Sequence, residues 1–400
     1  MTDKHAVADL ALFGGRPLFD RPRPIGQLAK PDTERFFSLM KSAFDSRRLS
    51  NNGPLVQELE ARLADYHAVR HCIAYANAGL ALITLIETIA DGRKGSVVIP
   101  TFTYTGLPHI VRWAGLTPVF CDVAPDTHTL TATSVADALR DDTIMMLGVH
   151  QANSPCPIDE LSAMCEQFGL PLLFDAVHGL GATFRGKPIG GFGIAEVFSL
   201  HATKLLNGFE GGYITTNDDE LAALMRRKRN FGYSGESSID TLGLNGKLNE
   251  VHAASALASL DKLPVVISRN HARLDAYQQA FRGIPGISWI PYPGDEATNA
   301  EFPLLKLATD WPIPRDALVS ILRAEGALAR AYYAPALHLQ DDSRHRSLPV
   351  AEALAQCIVQ MPTGEMVNTT DIARLASLVQ FVSSNAAAIR AALAAHQDAK

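Results

Sequence analysis

Phe198-Ser199-Leu200-His201-Ala202-Thr203-Lys204, read together with Phe174-Asp175-Ala176-Val177-His178, decides how this chain folds. The lysine follows a short apolar run, 197–200, and precedes Asn207-Gly208-Phe209-Glu210-Gly211-Gly212. The aspartate closes a second apolar run, 170–174. Two short strands of buried composition thus each end in one ionisable residue. In open α/β sheets ligands sit at the carboxyl ends of the strands, so amine and carboxylate are expected at one edge. Taken alone, a lysine after a strand is commonly solvated, and aspartate commonly caps or turns. The pair nevertheless suits pyridoxal phosphate (PLP). The amine forms a Schiff base with the aldehyde, and the carboxylate keeps the pyridine nitrogen protonated so that the ring accepts electrons.

Working outward, strand and helix alternate. Strands are expected at 73–76, 97–100, 118–123, 145–149 and 213–216, with helices at 80–90, 158–168, 221–229 and 248–260. This order argues for an α/β fold with a mainly parallel sheet covered on both faces. Asn77-Ala78-Gly79 is a small-residue turn opening a helix, either an anion site or a tight packing point. Strand 97–100 ends in Thr101-Phe102-Thr103-Tyr104, where one ring can stack on a flat heterocycle and the other belongs to the core. The segment 231–247 is rich in Gly, Ser and Asn, and a loop this long is usually functional.

Four hundred residues suggest two or three domains. The expected division is an arm with a first helix at 1–50, a large cofactor-binding domain at 51–265, and a smaller α+β domain at 266–400. The arm shows few core signals. In the last part, strands are expected at 287–290, 302–307 and 327–333, and helices at 317–325, 351–356 and 385–396. A net charge of −6 gives no electrostatic footprint for nucleic acid or an anionic membrane. No apolar run reaches the ~18–20 residues that span a bilayer, and no signal-peptide pattern opens the chain. The five cysteines lack Cys-x-x-Cys spacing and read as reduced, mostly buried thiols of a cytoplasmic protein. His150, Cys156 and Cys165 lack zinc-ligand spacing, so no metal is expected.

Over nearly its whole length the chain resembles the DegT/DnrJ/StrS group of fold-type I aminotransferases, which act on sugars. The matching stretches are Asn51-Asn52-Gly53-Pro54, Ile99-Pro100-Thr101-Phe102-Thr103-Tyr104, Asp175-Ala176-Val177-His178 and Ser199-Leu200-His201-Ala202-Thr203-Lys204. Glu210-Gly211-Gly212, Arg229-Asn230-Phe231-Gly232, Gly243-Leu244-Asn245-Gly246-Lys247 and Arg330-Ala331-Tyr332-Tyr333 follow in order. The resemblance implies a large domain with a mainly parallel seven-stranded sheet and a smaller C-terminal α+β domain. It implies that Lys204 binds PLP covalently and moves the proton, the cofactor passing through its pyridoxamine phosphate form. It assigns Asp175 to the pyridine nitrogen, His178 to the ring or its 3-hydroxyl region, and Tyr104 to stacking. Ser199, the backbone of Ala78-Gly79-Leu80, and Asn245 are the implied phosphate ligands. Asn245 comes from the neighbouring subunit, which implies a homodimer with shared active sites. Two positions depart from the family pattern. Leu80 stands where relatives carry Thr or Ser, and the loop Gln151-Ala152-Asn153-Ser154-Pro155-Cys156 lacks the glycine usual after Val149-His150.

The implied reaction is transfer of an amino group from glutamate or glutamine to a keto group of a nucleotide-linked sugar. The same scaffold could serve a keto-cyclitol or another secondary-metabolite ketone, because the substrate loops vary freely. A dehydratase of this fold carries histidine in place of the lysine, whereas Lys204 is present. A non-catalytic relative would lack Lys204 or Asp175, and the third glycine of a dinucleotide fingerprint is missing after Gly179-Leu180-Gly181. Tyr332 and Tyr333 either line the substrate pocket or pack. His338 either contacts substrate or sits exposed on a loop. Arg227, Lys228 and Arg229 either attract a diphosphate or form a solvated helix end. His201 is expected to fix the lysine turn through a hydrogen bond.

Overall fold

Each of the seven apolar runs becomes a strand of one sheet in the computed structural model, which describes residues 4–235, 238–292, 294, 296–341 and 346–398. The strands are β1 (His71–Tyr75), β2 (Ser96–Pro100), β3 (Thr117–Cys121), β4 (Thr143–Val149) and β5 (Leu172–Asp175). A two-residue hairpin follows, β6 (Thr183–Phe184) with β7 (Lys187–Pro188), and then β8 (Ala195–Ser199) and β9 (Gly212–Thr216). The spatial order is β1-β9-β8-β5-β4-β2-β3. Neighbours from β8 to β3 pair in parallel, whereas β9 runs antiparallel to both β8 and β1. The mainly parallel sheet expected from the strand–helix alternation is therefore present.

Alternation along each strand explains why both faces are covered. Val98, Met146, Phe174 and Phe198 enter one core cluster with the helices Thr33–Ser46, Pro54–His67 and Glu250–Leu260. Val97, Ile99, Leu147 and Val197 face the other way, against the helices Ala78–Ala90 and Asp219–Lys228. Side chains one residue apart point to opposite faces, so a strand buried on both sides must be apolar throughout. Each such Val, Leu or Phe contributes roughly 1.5–3 kcal/mol on burial.

A second sheet is wholly antiparallel, in the order β10-β11-β13-β12. Its strands are β10 (Ile287–Trp289), β11 (Leu304–Leu307), β12 (Arg330–Ala331) and β13 (Ile358–Gln360). The strand expected at 327–333 shrinks to β12. The Leu328 N–H is taken by the Arg23 carbonyl, and Tyr333 turns the chain at φ +48°. The helix Leu263–Ala280 runs through the boundary expected at 265/266. The N-terminal arm is better anchored than its sequence suggests. Leu10, Leu18 and Phe19 pack into the cluster of Leu318, Ile321 and Leu375, and Gln27 is fully buried. Among the described residues no single helix is long and apolar enough to cross a membrane.

Candidate active site

β5 and β8 lie side by side, with Asp175 opposite Val197. Because both run the same way, Asp175 and the turn carrying Lys204 emerge at the same sheet edge. The turn is held locally: the Lys204 N–H donates to the His201 carbonyl at 2.8 Å, and His201 Nδ1 lies 2.8 Å from the Thr203 hydroxyl. The structural role expected of His201 is thus observed. Gly212 brings the strand after the turn hard against the start of the helix Ala78–Ala90, and Gly211, at φ +151°, packs on Leu200 and Leu248.

The Lys204 amine is 3.5 Å from His178 Nε2 and 5.8 Å from the centre of the Phe302 ring. Burial holds its pKa below the usual lysine value, against the opposing pull of the Glu301 and Asp175 carboxylates; Arg330 pushes it further down. Burial likewise raises the Asp175 carboxyl, while the Val177 N–H, His178 and Lys204 favour its charged form. Each group is thus desolvated in a place where an opposite charge would relieve the cost. With PLP bound, a cationic ring nitrogen near Asp175 would supply that charge, and a less basic Lys204 would be the better nucleophile. These are the properties a PLP site requires.

The residues implied as phosphate ligands are available only in part. Ser199 ends β8 with its hydroxyl accepting from the His201 N–H at 3.2 Å, and Ala78 and Gly79 open the helix beyond it. The Leu80 N–H, however, already donates to the Asn77 side chain at 2.8 Å as a helix cap. Of the three N–H groups, that of Leu80 is therefore committed to the cap, and only those of Ala78 and Gly79 are open to an anion. Tyr104 is 60% exposed while Phe102 is fully buried, which resolves which ring is core and which is free to stack. Asn245 is exposed on the loop following the helix Asp219–Lys228.

Other candidates settle differently. Tyr332 is buried, its hydroxyl 3.5 Å from Gln151 Oε1, and the half-buried Tyr333 packs against it with ring centres 3.9 Å apart. His338, expected at the substrate or exposed on a loop, is neither. It is fully buried, with Nδ1 2.8 Å from the Thr101 hydroxyl and Nε2 3.2 Å from Glu352, so no ring nitrogen remains for a ligand. Lys228 and Arg229 form no solvated face. Lys228 pairs with Glu87, and Arg229 reaches Glu60 and the Ala74 carbonyl beneath the sheet. The loop at 151–156 closes without a glycine because Gln151 and Ser154 exchange backbone bonds, and the Cys156 N–H donates to His150 Nδ1. A further cavity lies in the arm, lined in part by Lys4, Arg16 and Arg23, away from Lys204; Lys4 and Arg23 already pair with Glu325 and Asp371.

Glu301 and Gln27 were not singled out from the sequence. The signal was available: a carboxylate set between Ala300 and Phe302-Pro303, and a glutamine in an otherwise proline-punctuated arm. Glu301 is buried, and its Oε2 accepts from His178 Nδ1 at 2.8 Å.

An amine and a carboxylate so placed at the carboxyl edge of a mainly parallel sheet define a PLP-dependent aminotransferase of fold type I. The chain belongs to the DegT/DnrJ/EryC1/StrS aminotransferase family, whose profile matches residues 31–380. It is 27% identical over 370 residues to the dTDP-4-amino-4,6-dideoxy-D-glucose transaminase of Escherichia coli, covering 90% of this chain and 98% of that one. It is 28% identical to the GDP-perosamine synthase of Caulobacter vibrioides, over 83% of this chain and 91% of that one. The structure of DesI, solved in the presence of its TDP-sugar product, superposes with a TM-score of 0.91 at 38% identity, over 98% of this chain and all of that one.

Proposed function

We propose that this protein moves an amino group from glutamate or glutamine to the keto group of a nucleotide-linked sugar, as a cytoplasmic homodimer. The observation that carries the chemistry is the half-buried Lys204, its amine beside His178 and under the influence of the Asp175 and Glu301 carboxylates. The sugar and its nucleotide rest on the relatives, whose names specify dTDP- and GDP-linked sugars. PLP held here would supply an aldehyde for the amine and a ring that accepts electrons while Asp175 keeps its nitrogen protonated. Lys204 would then hold and return the proton at Nζ, with Phe302 and the tyrosine pair excluding water. Arg330, exposed yet close enough to weigh on Lys204, suits the carboxylate of an amino-acid donor.

The homodimer is supported by the surface. Phe231, Tyr233, Ile239 and Leu242 are exposed on one segment, and Asn245 extends from the same loop. Exposed apolar residues clustered in this way mark an interface. The test is a visible absorbance scan of purified protein with PLP, followed by glutamate, glutamine and a panel of nucleotide-linked keto sugars. Lys204→Ala should abolish the lysine-dependent band. Conversion with neither donor would overturn the donor assignment, and turnover of free ketones alone would overturn the nucleotide sugar.

A further inference from the structure

His178 is held from both sides of its ring. Nδ1 lies 2.8 Å from Glu301 Oε2, Nε2 lies 3.5 Å from Lys204 Nζ, and Phe302 stands edge-on at 5.2 Å. A carboxylate can only accept, so Nδ1 carries a proton, and in the neutral ring the lone pair sits on Nε2, facing the lysine. We infer that Glu301 is a positioning residue for the amino-transfer reaction: it fixes His178 as the Nδ1–H tautomer and so presents a proton acceptor to the Lys204 amine. This deepens the reading above, on which it rests for the role of Lys204.

Three observations support the assignment. Glu301 is 1% exposed, and among the described residues nothing donates to its Oε1. A buried carboxylate with one oxygen unpaired is costly, and stability alone gives no reason to keep it. Its backbone is also fixed at several points. The Glu301 N–H donates to Asn299 Oδ1 at 2.9 Å, and its carbonyl accepts from Gln27 at 3.2 Å. Asn299 in turn donates to the His178 carbonyl at 2.8 Å, so carboxylate and imidazole are positioned by one shared residue. Finally, Glu301 comes from the segment preceding β11, whereas Lys204 and His178 come from the seven-stranded sheet. The arrangement exists only when the two parts of the chain are docked.

The groups facing Lys204 are Asp175 at the end of β5, His178 just after it, Glu301 before β11, and Arg330 on β12. The test is 15N NMR of histidine-labelled protein, with the His178 signals assigned by their loss in His178→Asn. In the wild type, the neutral ring is expected to carry its proton on Nδ1 and its lone pair on Nε2. In Glu301→Ala this should give way to the Nε2–H form or an averaged mixture. Glu301→Asp should restore part of the wild-type pattern, and Glu301→Leu, which also cannot accept, serves if the alanine variant fails to fold. With PLP bound, Glu301→Leu should lower kcat about tenfold or more with little change in KM. An Nε2–H tautomer in the wild type, or an unchanged tautomer in whichever of Glu301→Ala and Glu301→Leu folds, would overturn the inference. The NMR reading requires no sugar or donor, so it fails separately from the proposed function.

Discussion

The Gln27 N–H donates to the Thr203 carbonyl at 2.9 Å, one residue before the lysine. The buried Gln27 amide reaches the Glu301 carbonyl, so a single arm residue touches the lysine turn and the carboxylate behind His178. Gly364, at φ +88°, seats this part of the arm: a Cβ there would lie 2.2 Å from the Gly26 carbonyl. Gly364→Ala should therefore displace the arm, costing about 1–3 kcal/mol in stability and weakening PLP retention. Thermal melts with and without PLP decide between effects. A lower Tm with unchanged PLP affinity would reduce the arm to a purely structural strap.

Gly212 makes a comparable approach at the start of the helix Ala78–Ala90. A Cβ on it would fall 2.4 Å from the Ala78 backbone nitrogen, where the strand passes under the helix start. Gly212→Ala should push the Ala78–Gly79 turn away and weaken PLP binding tenfold or more, on the scale of ~1.4 kcal/mol per decade. Gly283→Ala, a site with φ +86° and nothing within 4 Å, controls for backbone strain alone. Equal PLP affinity in the two variants would defeat this account of the Glu210-Gly211-Gly212 stretch.

These contacts show what a linear sequence can carry. The seven strands were legible because most of their residues are apolar and each ends in a turn, and Lys204 and Asp175 were legible because each follows such an apolar run. Ser199 and Tyr104 came from the family resemblance, and spacing alone left the helix start either an anion site or a packing point. His338 and Arg229 were misjudged for one reason: burial of a polar side chain depends on partners remote in sequence. Thr101 lies 237 residues from His338, and Glu60 lies 169 from Arg229. Glu301 and Gln27 escaped for the same reason, since their value arises only where the arm, the lysine turn and the segment before β11 meet.

Lys204 should react at lower pH than an exposed lysine. Burial lowers its pKa, while Glu301 and Asp175 pull it back up. Removing either carboxylate therefore lowers it further, so Asp175→Asn should move the reactive range down again. The check is the pH dependence of Lys204 modification by formaldehyde and cyanoborohydride in cofactor-free protein, read by mass spectrometry. An upward shift in Asp175→Asn would contradict the charge balance described here.

His67 should make the fold acid-sensitive well away from the chemistry. It is buried against Phe198 at 4.5 Å, with Nδ1 on the Ile189 carbonyl and Nε2 3.0 Å from the Tyr213 hydroxyl. Burial is the main cause lowering its pKa from 6.5 to about 4. Between those values the unfolded chain binds a proton that the native state refuses, so stability rises with pH across the window and falls as pH drops from 6.5 toward 4. The full shift corresponds to a loss on the order of 3 kcal/mol. Urea denaturation at a series of pH values should show this slope in the wild type and a shallower one in His67→Gln. Equal slopes would mean that other groups, the buried His128 with its pKa likewise near 4 among them, set the acid limit.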